Sequence, residues 1–151
     1  MLRSRLTDAL KTAMKEKEAT CVSTLRLILA ALKDRDIAAR SKGNGDGIDD
    51  EDILGLLQSM VKQRRDSIEL YEKGGRMELA QREAEEIAII EGFLPEQLSD
   101  DDMAEAIEGV ITEVEAASLK DMGRVMAALK EQFAGRMDFG KASAVVKERL
   151  G

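Results

Sequence analysis

The stretch FLPEQLSDDDM, residues 93–103, contains the only proline of the chain and interrupts an otherwise helical pattern. Ser99 is a favourable helix N-cap, because its hydroxyl can accept a hydrogen bond from a free backbone N–H group. The aspartates that follow it suit the positive end of a helix dipole. This stretch therefore predicts the end of one helical domain, residues 1–95, and the start of a second, residues 96–151.

Apolar residues recur at intervals of three and four along almost the whole chain, and they do not alternate as they do in a strand. Before the proline this pattern predicts helices over residues 2–14, 20–39 and 49–73 and another after Gly75. Beyond it the pattern predicts one helix after Ser99 and two shorter ones, residues 121–134 and 138–150. The sequence thus predicts an all-α, multihelical fold with two helical subdomains, a bundle of about four helices and then a three-helix bundle.

The same pattern leads to expectations about packing and loops. Leu27 lies opposite the other apolar residues of the second helix, which predicts that this helix is central and covered on more than one side. Met14 is expected to lie on the buried stripe of the first helix. The fourth helix is expected to bury a stripe that consists of Met77, Ala80, Ala84, Ile87 and Ala88. We expect SKGNGDG, residues 41–47, to form a flexible loop.

The residue inventory excludes several kinds of catalysis. The chain has no histidine and a single cysteine, Cys21. Without histidine, a Cys-His or Ser-His-Asp nucleophile and an ordinary zinc site are excluded. No carboxylate pair stands out as an acid/base couple, and the glycines and aspartates of residues 42–53 match neither a calcium loop nor a phosphate-binding loop. The sequence therefore predicts no catalytic residue, no metal ion and no cofactor.

Net charge and hydropathy restrict the kinds of partner that the chain is expected to bind. The longest uninterrupted apolar run, Leu27–Leu32, is far too short to span a membrane, and no apolar signal core follows the amino terminus. We therefore expect a cytoplasmic protein that binds no membrane. The net charge of −7 argues against DNA and against indiscriminate nucleic-acid binding. Residues 119–151 nevertheless contain seven Lys/Arg and four Asp/Glu, so a local phosphate-binding patch stays open.

Within that basic segment, KDMGRVM, residues 120–126, places Gly123 in the first turn of a helix, where its cost relative to alanine approaches about 1 kcal/mol. Gly123 and Ala127 lie side by side on the flank of this helix. Small residues at this spacing allow a close approach, either by a neighbouring helix or by a rigid ligand such as a sugar-phosphate chain. The sequence favours helix packing and leaves the second interpretation open.

Arg64 is the charged residue that most needs a partner. It lies on the same stripe of the third helix as Leu57 and Met60, so its guanidinium must pair or reach outward. A structural ion pair with Glu83 or Glu86 of the next helix is the favoured interpretation. A contact with a substrate or RNA phosphate is the alternative.

Six stretches have the order and spacing typical of the GatB/YqeY family: TLRLILAALKDRDI, KQRRDSIELYEKGGR, LAQREAEEI, FLPEQLS, KDMGRVM and GRMDFGKASAVVKERL. The chain resembles the free-standing YqeY-type members over nearly its whole length. The resemblance implies two all-helical subdomains, the second similar to the tail domain of the B subunit of the tRNA-dependent amidotransferase. That enzyme converts glutamate or aspartate mischarged on tRNA to the amide, and its tail domain holds the tRNA.

The resemblance therefore implies tRNA contact by the second subdomain, together with the family label of a carbon–nitrogen ligase with glutamine as amido-N-donor. It also implies amidotransferase or aminoacyl-tRNA synthetase machinery as partners. The candidate tRNA contacts are the basic residues of the matching segment, Lys120, Arg124, Lys130, Arg136, Lys141 and Lys147. No stand-alone catalytic site is recognisable, so the isolated chain is not expected to transfer an amide. The alternative function is a protein–protein adaptor that uses the acidic segment 96–118 or the loop 41–52.

Overall fold

The computed structural model describes residues 1–151 and confirms the predicted all-α, multihelical fold. The chain forms seven α-helices and one short 3₁₀ helix, Leu119–Asp121, and it contains no strand. The α-helices are α1 Leu2–Lys15, α2 Ala19–Ser41, α3 Asp50–Lys73, α4 Met77–Glu91, α5 Asp100–Glu113, α6 Met122–Gln132 and α7 Phe139–Leu150.

The chain divides into two compact units, which we call the amino-terminal unit, Met1–Leu94, and the carboxy-terminal unit, Pro95–Gly151. Each unit has an apolar core of its own. The largest fully buried side chains of the first are Leu6, Ile28, Ile53, Leu57 and Ile90. Those of the second are Ile107, Val110, Val125, Leu129 and Val146.

The predicted helix ends follow from local chemistry. Asp49 caps α3 by accepting a hydrogen bond from the backbone N–H of Asp52 at 2.9 Å. Ser99 caps α5 in the same way, with 3.1 Å between its Oγ and the Asp102 nitrogen. Past the ends of α3 and α6, Gly75 and Gly135 adopt φ values of +74° and +75°, a region in which glycine lacks the steric cost of a side chain.

The packing expectations for three helices are wrong in part. Leu27 is 49% exposed, so α2 is covered by α1, α3 and α4 on one side only. Met14 and Met77, at 51% and 58% exposed, also lie outside the core. In α4 the buried residues are Ala80, Ile87 and Ile90, while Ala84 and Ala88 are exposed. Periodicity identifies an apolar side of a helix, but the neighbouring helices decide which part of that side they cover.

The loop between α2 and α3 is anchored at Ile48, directly after the segment 41–47 that is predicted to be flexible. The Arg3 guanidinium donates two hydrogen bonds to the Asp36 carboxylate, at 2.5 and 2.6 Å, and a third to the Ile48 carbonyl at 2.7 Å. The Ile48 N–H donates to Asp36 at 3.0 Å, and Asn44 donates to the Gly47 carbonyl at 2.8 Å. These bonds fasten Ile48 to the start of α1 and to α2, and Asn44 to Gly47 within the loop.

This anchor leads to a pH-dependent prediction. The hydrogen bonds from Arg3 hold the pKa of Asp36 at about 2, below its ordinary value of 3.8. A carboxyl group with a lowered folded-state pKa contributes stability above its unfolded pKa and loses it as the pH falls through the folded value. We expect Asp36→Asn to lower the free energy of unfolding by about 1–2 kcal/mol at neutral pH, because one partner of a partly exposed pair is removed.

Urea unfolding at neutral pH and at about pH 3 would measure this effect, with Asp34→Asn as the control because Asp34 is exposed and forms no ion pair. The difference between wild type and Asp36→Asn should shrink at the lower pH. A difference that does not change with pH would show that Asp36 acts through its shape and not through its charge.

Candidate nucleic-acid interface

The start of α6 is organised by a capping box on the 3₁₀ helix that precedes it. The Ser118 side chain accepts from the Lys120 N–H at 3.4 Å, and the Asp121 carboxylate accepts from Ala117 and Ser118 N–H at 2.8 and 3.3 Å. Hydrogen bonds from the Ala117 N–H and from Arg124 hold the pKa of Asp121 below its ordinary value. Asp121 therefore caps the segment before it and makes no side-chain cap to α6 itself.

Arg124 joins the start of α6 to the end of α5. Its guanidinium donates to the Val114 carbonyl at 3.0 Å and to the Asp121 carboxylate at 2.8 Å. Val114 is the C-cap residue of α5, where a free carbonyl needs a donor. The side chain is still 58% exposed, so Arg124 can hold this junction and also meet an anion.

Gly123 lies in the first turn of α6 in open space, so the favoured prediction of close helix packing is wrong. A Cβ atom built on Gly123 would have no neighbour within 4 Å. Ala127, one turn later, is exposed as well. At 100° per residue, Gly123 and Ala127 share a face with Lys130. Lys120 precedes them in the 3₁₀ helix. We call this surface the bare α6 face; it leaves backbone accessible between two lysines.

A substitution at Gly123 separates stability from binding. Gly123→Ala should raise the free energy of unfolding by up to about 1 kcal/mol, because alanine is the better helix former and meets no neighbour. The same methyl group should weaken the binding of any ligand that approaches the backbone. Thermal unfolding and a tRNA titration on one preparation would measure both, with Gly109→Ala in α5 as the control, since it too has open space. A loss of stability would mean that another group lies close to Gly123, which contradicts the open space seen there.

Arg136 has a structural role in the turn between α6 and α7. Its Nε donates to the Glu96 carbonyl at 3.1 Å, while its own carbonyl accepts from the Leu98 N–H at 2.8 Å. Gln97 adds a bond of 2.5 Å from its Nε2 to the Gly135 carbonyl. These bonds fasten residues 96–98 to the turn, and replacing Arg136 would remove the one that its Nε donates to the Glu96 carbonyl.

The candidate lysines differ from the candidate arginines. The side chains of Lys120, Lys130, Lys141 and Lys147 are exposed and have no hydrogen-bond or ion-pair partner. Lys141 and Lys147, six residues apart, lie about 120° apart around α7, so they do not line one face. A seventh basic residue that the sequence reasoning passed over, Arg149, pairs with Glu108 of α5 at 2.7 Å. The unpaired lysines are therefore the cations with the greatest freedom to meet a phosphate.

Arg64 lies in a partly buried cluster between α3 and α4. Its Nε donates to Glu86 Oε2 at 2.8 Å and lies 4.0 Å from Glu83 Oε2, and its Nη1 donates to the Met60 carbonyl at 3.1 Å. The Arg64 side chain is 12% exposed. Burial and the neighbouring Glu86 raise the pKa of Glu83. Partners already occupy the guanidinium, which leaves little of it for an external phosphate.

Comparison with known proteins gives a family and a few relatives. A family model described as YqeY-like protein matches residues 3–150. An uncharacterized protein of Schizosaccharomyces pombe is 30% identical over 99 residues, which cover 66% of this chain and 73% of that protein. No helix of the structure combines the length and the apolar character that crossing a membrane requires.

Two further relatives carry the name "Altered inheritance of mitochondria protein 41, mitochondrial". The one from Lachancea thermotolerans is 34% identical over 91 residues, or 60% of this chain and 46% of the relative. The one from Eremothecium gossypii is 33% identical over 91 residues, or 60% of this chain and 48% of the relative. The match thus spans less than half the length of either of these two proteins.

Proposed function

The chain belongs to the YqeY-like family, and on that premise we propose that it is a tRNA-binding accessory module related to the glutamine-dependent tRNA amidotransferase. The observation that carries the proposal is the bare α6 face, where Gly123 and Ala127 expose backbone between Lys120 and Lys130. Glycine in a helix is otherwise a cost, and no packing neighbour compensates for it here. A ligand that binds close to the backbone would explain why glycine occupies position 123.

A sugar-phosphate chain fits this face by size and by charge. Lys120 lies in the 3₁₀ helix and Lys130 in α6, ten residues later, which corresponds to about 15–17 Å along the chain axis, a span of two to three phosphates. Small side chains between them let a backbone come close, while the lysines release counterions from the phosphates. The two aromatic residues of this unit, Phe133 and Phe139, pack against its core, so no aromatic platform for stacking bases is available. Recognition should therefore rest on shape and phosphates rather than on base sequence.

The family label of a carbon–nitrogen ligase with glutamine as amido-N-donor would then describe the enzyme that this module assists. Amidotransferase or aminoacyl-tRNA synthetase machinery is the partner that such a module would serve. The cytoplasmic location stays a prediction, since two relatives carry "mitochondrial" in their names. The binding of tRNA by the purified chain is the first property to establish.

The test is a variant in which Lys120, Lys130 and Lys141 are replaced by alanine. We expect this variant to bind tRNA at least tenfold more weakly and to lower the slope of log affinity against log salt by about one for each lysine that contacts a phosphate. Lysines are chosen over Arg124 and Arg136 because those arginines also hold backbone carbonyls. Filter binding or fluorescence anisotropy over a series of salt concentrations measures both quantities.

The matched control replaces Lys11, Lys15 and Lys62, which are equally exposed but lie in the amino-terminal unit. It changes the net charge by the same amount, so a purely global charge effect would weaken both variants alike. Equal binding by wild type and by the Lys120/Lys130/Lys141 variant would refute the proposed interface. Circular dichroism should show both variants folded, because none of the six side chains has a partner to lose.

A further inference from the structure

The outer side of α2 exposes an apolar stripe that the proposed tRNA interface does not use. Leu27 is 49% exposed and Ile37 is 51% exposed, and Ala30 and Ala38 between and beside them are exposed as well. The opposite side of α2 faces α1, α3 and α4, where Leu25, Ile28 and Leu32 are buried. An apolar stripe on a helix side that no other helix of the unit covers can mark a site of protein–protein interaction.

The stripe has the spacing of a coiled-coil seam. Leu27 and Ala30, then Asp34 and Ile37, follow one another at the alternating three- and four-residue steps of a heptad. From Leu27 to Ile37 the seam is about 15 Å long, enough for a partner helix of two to three turns to lie along it. We call these four residues the α2 seam.

One basic row borders the α2 seam. Arg26, Lys33 and Arg40 are spaced by seven residues on one flank, whereas the other flank carries Ala31 and Ala38. All three basic residues are exposed, and none forms an ion pair, although the chain as a whole carries a net charge of −7. On this surface of an acidic protein, neither the cations nor the exposed apolar residues have a partner within the chain.

The charge pattern selects the kind of partner. A second copy of this seam would bring the basic row opposite itself in an antiparallel pair and Asp34 opposite Asp34 in a parallel pair, and like charges at facing positions of a coiled coil oppose pairing. A phosphate chain would meet Leu27, Ile37 and the carboxylate of Asp34 along its centre. A helix with apolar seam residues and an acidic flank complements both the apolar stripe and the basic row.

We propose that the α2 seam is a docking site for an acidic amphipathic helix of a partner protein. Leu27 and Ile37 pack against its apolar residues, and Arg26, Lys33 and Arg40 pair with glutamates or aspartates along one flank. Asp34 sets the register, because a lysine in the partner's seam finds its counter-ion only at that level. The site is distinct from the bare α6 face and does not depend on tRNA binding.

The probe that tests the site is a synthetic helix of about three heptads, with leucine in its seam, one central lysine and glutamate at the flanking positions. A second probe carries lysine in place of every flanking glutamate. In fluorescence anisotropy the acidic probe should bind the wild-type protein with an affinity that falls as salt is added, and the basic probe should not bind. Absence of binding by the acidic probe, or equal binding of both probes, overturns the proposal.

Matched variants locate the contact. Arg26→Glu with Lys33→Glu should weaken binding of the acidic probe at least tenfold, whereas Lys62→Glu with Arg82→Glu, equally exposed positions on α3 and α4, should leave it unchanged. Leu27→Glu should also weaken it, and Leu70→Glu, at a position 69% exposed on α3, should not. All four substituted proteins lose exposed side chains, so their folding is expected to survive.

Other occupants of the α2 seam would give different results in these experiments. If sedimentation shows a wild-type dimer that Leu27→Glu dissociates, the seam belongs to a second copy and the proposal fails. If tRNA rather than the acidic probe loses affinity in the Arg26/Lys33 variant, the basic row binds phosphate and the proposal also fails. Neither outcome affects the lysine test of the proposed tRNA interface, because that test uses Lys120, Lys130 and Lys141.

Discussion

Leu129→Ala should lower the free energy of unfolding by about 2–5 kcal/mol, among the largest losses that we expect from a single truncation in the carboxy-terminal unit. Leu129 is fully buried, at 0% exposed, in the core that α5, α6 and α7 share. Alanine would remove apolar burial and leave a cavity, and a unit as small as Pro95–Gly151 has few other apolar contacts to offset the loss.

Leu119→Ala is the matched control for this truncation. Leu119 begins the 3₁₀ helix and is 47% exposed, so the same deletion should cost below about 1 kcal/mol. Chemical denaturation followed by circular dichroism would compare the two, and tRNA binding should fall with the folded population of Leu129→Ala. Equal costs at the two positions would contradict the core assignment.

The fold class was predictable because helix signals are local. The capping residues Asp49 and Ser99 and the terminating Gly75 and Gly135 act within one turn of their own positions, and each behaves as its neighbours in sequence predict. Exposure of Leu27 was not predictable in the same way. Which side of α2 is covered depends on where α1, α3 and α4 lie, and periodicity within α2 carries no information about that.

Contacts between residues that are distant in the sequence are the part of the structure that sequence could not predict. Arg3 and Asp36 are 33 residues apart, and no local pattern connects them. Ser118 and Asp121 have the spacing of a capping box, which sequence can reveal. That spacing predicts that the Asp121 carboxylate bonds to the backbone before it rather than to α6. Sequence grouped six basic residues as equal candidates, whereas geometry separates arginines that hold backbone carbonyls from lysines that have no partner.

Replacing Arg64 by methionine should cost about 2–3 kcal/mol at neutral pH, because it leaves two carboxylates side by side without their cation. Glu86 and Glu83 are 16% and 23% exposed, so water can screen their repulsion only in part. Methionine keeps much of the apolar stem of arginine, so the loss reports charge more than volume. Arg65→Met is the control: Arg65 is 64% exposed, and its 3.6 Å pair with Glu91 should contribute below about 1 kcal/mol.

The pH dependence identifies the cause of that loss. Burial and Glu86 raise the pKa of Glu83 even in the wild type, where Arg64 opposes the shift. Without Arg64 the folded state should bind a proton more readily than the unfolded state does, so stability should return as the pH falls through the raised folded-state pKa. Adding Glu83→Gln to Arg64→Met should restore stability at neutral pH for the same reason, since it removes one of the two charges. Urea denaturation at a series of pH values from neutral to acidic tests both statements. A loss that neither acid nor Glu83→Gln relieves would mean that Arg64 stabilises the protein through its hydrogen bond to the Met60 carbonyl and not by neutralising the glutamates.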